Sequence, residues 1–326
     1  MYYQIEQVLE QYDLGQAVVS KGRQMLLCET GDGPRALKIF NGRQAKAQLL
    51  YELGEFLYAQ GMHTDGLMKT MEGELWAQGV DGVVYTLHRW YRGRECEAKN
   101  RGDVLRSVRA LAGLHQTLRR FQPGEGLTCR LREDPLSEYE RHNRELCQIR
   151  NFLRKKKKKN EFERLFLECF PIFFQQCRQA GLYLESAGNL PGMIGICHGD
   201  FNQHNIVSLS GNSGHAILNF ERAGYGMQVS DLCNFMRKIL EKHNWEEGLG
   251  MAMLREYEKG CPLTPGDRLQ LYCRLSYPEK FWKIADRYYG SRKVWISGQN
   301  LEKLKKEIRQ NDARCRYLGH LREILT

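Results

Sequence analysis

A chain of 326 residues with 42% hydrophobic and 27% charged side chains has globular composition and is long enough to build two cores. That balance excludes a disordered polymer. Lys and Arg outnumber Asp and Glu to leave a net charge of +10, so the surface attracts anions: nucleotide, nucleic acid, anionic lipid or acidic protein.

No apolar run approaches the roughly 18–20 residues that span a bilayer, so no membrane span is expected. The opening MYYQIEQVLEQYD has neither the basic start nor the apolar core of a secretory signal. Eleven cysteines are scattered without a Cys-x-x-Cys pair. Cys147, Cys169, Cys177 and Cys233 sit in amphipathic patterns, where a thiol behaves as a small buried hydrophobe. Reduced thiols and cytoplasmic synthesis are therefore expected.

From Val18 to Phe40, apolar stretches alternate with turns near Lys21-Gly22 and Gly31-Asp32-Gly33, the pattern of an antiparallel meander. A helix is expected from about Arg43 to Gln60, with Leu49, Leu50, Leu53, Phe56 and Leu57 as its apolar stripe and Gly61 at its end. Two short strands fit Gly73–Ala77 and Gly82–Leu87. Together these make a small, mostly antiparallel β lobe over residues 1–90. The remainder, 91–326, reads as a larger helical lobe, with amphipathic helices at Val104–Leu118 and about Asn160–Leu184.

Between those helices, Arg154 and Lys155 to Lys159 form a like-charge block, the signature of a solvated connector. No aromatic residues interleave with the lysines, so no specific nucleic-acid binding is expected. After Ile194 comes a strand-loop-strand stretch, and prolines at 262, 265 and 278 punctuate the helical end. Tyr277, Trp282, Tyr288 and Tyr289 fit core aromatics better than a pocket lining.

The string with chemical content is His198-Gly199-Asp200-Phe201-Asn202-Gln203-His204-Asn205. An Asp and an Asn with four residues between them, in a loop between short strands, match the catalytic loop of kinases. Phosphoryl transfer needs an acceptor hydroxyl held in line with the γ-phosphate, and Mg²⁺ to neutralise the phosphates. Asp200 is the candidate to orient that hydroxyl, Asn205 to ligate one metal ion, and His198 to brace the loop. Downstream, Asn219 and Glu221 in Leu218-Asn219-Phe220-Glu221 occupy the region where such enzymes place a metal-binding Asp. Upstream, Lys38 in ALKIF sits on the third strand, the position that pairs nucleotide phosphates. Its acidic partner is expected from the next helix, with Glu55 the choice and Glu52 the alternative.

In RALKIF, YTLHRWYRGRECE, HGDFNQHN, NFERAGYGMQVSDLCNFMRKILEKHNW and YPEKFWKIADRYYG the chain resembles the CotS family of bacterial spore coat proteins. That family lies within the aminoglycoside phosphotransferase and choline kinase superfamily, and the resemblance runs nearly end to end. It implies a protein-kinase-like bilobal α+β fold, a nucleotide cleft for ATP and Mg²⁺, an unknown small-molecule acceptor, and assembly with other proteins of a spore coat. Asp231 is then expected at the start of a helix, as a cap or as an anchor of the catalytic-type loop.

Asn219 stands where active members of the superfamily carry the Mg²⁺-binding Asp. An amide oxygen brings no charge, and Mg²⁺ prefers anionic oxygens. Two readings follow. One is a coat protein using a degenerate or weakly active kinase fold for a structural or binding role. The other is a working Mg-ATP phosphotransferase, with Glu221 supplying the missing charge if the segment is extended enough for both side chains to point the same way.

Overall fold

The computed structural model describes residues 2–124, 134–186, 192–209, 214–290 and 297–325. Packing divides the chain into two units, Met1–Arg130 with Gly195–Tyr225, and Leu131–Ile194 with Gly226–Thr326. The boundary expected after residue 90 falls inside the first unit, which also takes in the segment carrying the catalytic-type loop.

In the first unit, helix α1 (Tyr2–Glu10) precedes the meander β1 (Val18–Lys21), β2 (Leu26–Thr30) and β3 (Gly33–Ile39). The turns fall where Gly22 and Gly33 predict them; Gly33 has φ of +104°, which other residues rarely adopt. Helix α2 (Gln44–Ala59) follows, then the short strands β4 (His63–Thr64), β5 (Leu67–Met68) and β6 (Ala77–Gln78), and then β7 (Val84–Arg89). The first sheet runs β1-β2-β3-β7-β5, with β6 also on β7. All of its pairings are antiparallel. Its core joins Val8, Leu9 and Tyr12 to Cys28, Leu37, Ala77 and Leu87. Helix α1 thus closes one face of the meander.

A second sheet runs β4-β11-β10-β8, built from β8 (Gly93–Glu95), β10 (Ile206–Leu209) and β11 (His215–Ile217). Its β4–β11 pair is parallel. Helix α3 (Arg101–Leu118) buries Val104, Val108, Leu111 and Leu114, together with His115, which is a packing residue. Asn100 caps it by accepting from the Asp103 backbone N–H. Strands β9 (Ile194–Cys197) and β12 (Gly224–Met227) lie where the chain passes between the units.

The second unit is helical: α4 (Pro135–Lys155), α5 (Glu161–Ser186), α6 (Val229–Leu240), α7 (Glu247–Gly260), α8 (Pro265–Ser276), α9 (Glu279–Gly290) and α10 (Ser297–Leu325). Its core is aromatic. Phe162, Phe166, Phe170 and Phe173 of α5 meet Tyr139 of α4 together with Tyr277 and Phe281. Tyr277 stacks on Tyr139 with centroids 4.0 Å apart, and Trp282, Tyr288 and Tyr289 pack on the same cluster. The lysine block forms the α4–α5 connection, where Lys156 pairs with buried Glu163. Asp231 lies inside the first turn of α6, fully buried, while the cap position belongs to Gln228. Among the described residues, no helix is long and apolar enough to cross a membrane.

Candidate functional site

Every residue of the candidate site belongs to the first packing unit. Lys38 lies on β3 opposite Thr86 of β7, and it is buried. Its ammonium donates to three acceptors: Asp65 Oδ2 at 2.8 Å, Asn219 Oδ1 at 2.8 Å and Glu221 Oε1 at 2.5 Å. Three protons meet three oxygens, so the ammonium is saturated. Burial pulls its proton affinity down, but the Asp65 and Glu221 carboxylates outweigh that and hold it above the ordinary lysine value. Burial also works against the Glu221 charge, yet Lys38 keeps that carboxyl below its usual range.

The expected partner of Lys38 was an acid of α2, and the structure corrects this. Glu55 instead pairs with Arg89 of β7 at 2.8 Å. Glu52 accepts from the Gly124 backbone N–H at 3.0 Å and from Gln48 at 2.8 Å. The reason is a close backbone approach. A Cβ on Gly54 of α2 would stand 2.7 Å from the Gly66 Cα, so the approach needs glycine at position 54, while a Cβ on Gly66 would stand 2.8 Å from the Arg89 guanidinium. The Thr64-Asp65-Gly66 segment therefore lies directly against α2, and Asp65 takes the place beside Lys38. His88 fixes it from below. Its Nδ1 donates to the Asp65 carbonyl at 2.9 Å, and its Nε2 accepts from the Thr86 hydroxyl at 2.9 Å. Burial and then the Lys38 charge hold His88 below its ordinary pKa, consistent with that neutral tautomer.

Asp65 Oδ2 also accepts from the Asn219 backbone N–H at 2.8 Å. That bond holds Asn219 at φ 68°, ψ 58°, a left-handed conformation that Asn tolerates better than most residues. The segment then turns into a short 3₁₀ helix, Phe220–Arg222, instead of the extended run that parity had suggested. Glu221 nevertheless arrives beside Asn219, because the turn brings it to the same ammonium. Lys46 of α2 closes the turn by donating to the Ala223 carbonyl at 2.6 Å.

The catalytic-type loop is tied down by its own polar atoms. His198 is fully buried; its Nε2 donates to the Leu218 carbonyl at 2.9 Å, and its Nδ1 accepts from the Asp200 N–H at 3.1 Å. It is a positioning residue, holding Asp200 against the strand that leads to Asn219. Asn202 Nδ2 donates to Asp200 Oδ1 at 3.1 Å, and His204 pairs with Glu95 at 2.6 Å. Asn205 donates its amide to the Asp200 carbonyl at 2.8 Å, which turns its oxygen toward Asn219. That oxygen accepts from Asn219 Nδ2 at 2.7 Å.

These bonds fix both amide orientations. Lys38 can only donate, so Asn219 must show it oxygen and must show Asn205 its NH₂ group. The Asp200 carbonyl can only accept, so Asn205 must face Asn219 with oxygen. The expected metal pair, Asn205 and Asn219, is brought together, but with a donor between the two oxygens. With the amides turned this way, Asn205 and Asn219 do not present two oxygens to a shared divalent ion. The Asn219 face turned to Asn205 is N–H, and its oxygen is engaged with an ammonium.

A profile of the family described as "Spore coat putative kinase YutH" matches residues 5–321. Among solved structures, an aminoglycoside phosphotransferase from Alicyclobacillus acidocaldarius is similar with a TM-score of 0.85 at 18% identity, covering 98% of this chain and 96% of that one. A microcompartment-associated aminopropanol kinase is similar at a TM-score of 0.67 and 14% identity, with 100% of each chain covered. An amicoumacin kinase in complex with AMP-PNP, Ca²⁺ and Ami gives 0.64 at 12%, covering 97% of this chain and 96% of that one. At these identities the likeness shows the fold, which is the expected kinase-like α+β one.

Proposed function

The chain belongs to the spore coat putative kinase YutH family, bearing out the CotS-type resemblance, and from that premise we propose a coat protein that uses a degenerate phosphotransferase fold for a structural or binding role. One observation supports the loss of chemistry above the rest. The Asn219 amide donates to Asn205 across 2.7 Å, which is what a metal ion would otherwise hold apart. An N–H that bridges the two side chains makes the ion unnecessary for their packing and unfavourable electrostatically.

The other machinery retained here, Lys38, Asp200 and Asn205, is held by internal bonds that need no ligand. A similar kinase is described with AMP-PNP and Ca²⁺, so a nucleotide is the ligand to test first. Its binding would rest on Lys38 and on the walls of the first unit, without transfer to an acceptor. Partners in the coat would then be other proteins.

The deciding experiment is thermal unfolding with ATP, in Mg²⁺ and in EDTA, for the wild type and Asn219→Asp. The wild type is expected to show no Mg²⁺-dependent stabilisation, while the carboxylate variant gains it. A ligand at one hundred times its Kd stabilises by about 2.7 kcal/mol. A Mg²⁺-dependent shift of that size in the wild type, with turnover abolished by Asp200→Ala, would instead establish a working phosphotransferase.

A further inference from the structure

Lys38 has three proton donors and all three are spent inside the protein. Its three acceptors differ in how firmly they are held. The Asp65 side chain is 1% exposed and is locked by the Asn219 N–H. Asn219 is locked by its bond to Asn205 and its own backbone. The Glu221 side chain is 42% exposed, and Lys38 is its one side-chain partner among the described bonds. It reaches the ammonium from the solvent side, on a 3₁₀ turn of three residues. Any outside anion meeting Lys38 must take the place of this carboxylate.

We propose that Glu221 is an intramolecular stand-in for a phosphate group, and that the Lys38 pocket takes a phosphate-bearing anion, without a divalent ion, only in exchange for it. The inference rests on the reading that the Asn205–Asn219 bridge has replaced the metal. A carboxylate offers a charged oxygen at 2.5 Å from the ammonium, the same contact that a phosphate oxygen would make. Release of Glu221 returns one N–H of Lys38 to the incoming oxygen and leaves Asp65 to balance the charge. Trp90, whose ring centroid lies 5.5 Å from the ammonium, remains as an aromatic wall beside it. The closed state therefore lowers apparent affinity by the fraction of time in which Glu221 is away.

The test is calorimetric titration of ADP and of inorganic pyrophosphate into the wild type, Glu221→Ala, Glu221→Gln and Glu221→Ala/Lys38→Gln, in EDTA and again in Mg²⁺. The Ala variant is expected to bind at least one probe ~10-fold or more tighter than the wild type in EDTA. The Gln variant, which still offers Lys38 an oxygen but no charge, is expected to fall between them. Replacing Lys38 is expected to remove the gain. Equal affinity of wild type and Glu221→Ala in EDTA, or binding by neither, overturns the proposal. A Mg²⁺ requirement in the wild type overturns the reading of the metal site instead, while the comparison in EDTA still judges Glu221. Because Glu221 is on the surface, its two single variants are expected to unfold cooperatively like the wild type; circular dichroism checks them and the double variant, in which buried Lys38 is also replaced.

Discussion

Asn219 donates its side-chain amide to Asn205 Oδ1 across 2.7 Å, closing a polar chain from the Asp200 carbonyl to the Lys38 ammonium. Each amide along it has one orientation only, because the chain begins at a pure acceptor and ends at a pure donor. If this bond replaces an ion, the two residues must be energetically coupled without metal. A double-mutant cycle with Asn205→Ala and Asn219→Ala, read by urea unfolding in EDTA, should give a coupling of about 1 kcal/mol. Mg²⁺ should leave it unchanged. Additive losses would mean that the bond carries no stability.

The two acids compared for Lys38 should behave very differently. Asp65→Ala leaves a buried ammonium with Asn219 and the half-exposed Glu221. Removing one partner of a buried pair costs about 3–5 kcal/mol. Glu55→Gln breaks an ion pair with Arg89 at a side chain that is 41% exposed, where the loss should stay below about 1 kcal/mol. Urea midpoints of the two variants decide the matter, and the reverse order would restore Glu55 as the partner that counts.

Asp65 has no local signature in the sequence. Lys38, the HGDFNQHN loop and Asn219 stand in local patterns with known spacing, so strand and loop chemistry exposed them. Asp65 sits between two two-residue strands, where neither period 2 nor period 3.6 has room to appear. What places it is the contact of Gly54 with Gly66, and neither glycine carries a signal alone. Glu55 had the right helix but met Arg89 first. Helix α4 is hard to read from sequence for a different reason. Tyr139, Leu146 and Leu153 recur every seven residues and are buried, but charged residues crowd the positions between them. Glu221 reaches its place beside Asn219 by a tight turn, without the extended backbone that side-chain parity requires.

Thiol chemistry should single out α10. Cys169, Cys177 and Cys273 are buried, and burial pushes each thiol up to about 12. Cys315 is exposed. An aromatic disulfide reagent at pH 8 should therefore label Cys315 quickly in the native state, and Cys315→Ser should remove that phase. Cys129 lies outside the described residues and is controlled by its own Ser variant. Fast labelling of Cys169 or Cys177 would contradict their burial in α5.

A buried acid on α10 gives the second unit a defined response to pH. Glu307 is 6% exposed, and burial first, then the charge of Glu241, pushes its carboxyl up to about 7 from 4.5. Arg314, Lys280 and Arg237 oppose that rise without cancelling it. Between the two values the folded protein holds a proton that the unfolded chain has lost. The stabilisation is therefore complete below about pH 4.5 and disappears as pH climbs through 7. Glu307→Gln keeps a neutral side chain of the same shape at every pH. It should match the wild type near pH 4 and exceed it at pH 8 by on the order of 2 kcal/mol. Urea unfolding of both proteins across that range measures the difference directly. A constant gap would show that the Glu307 carboxyl titrates alike in the folded and unfolded chain, because only a difference in bound protons between the two makes the gap widen.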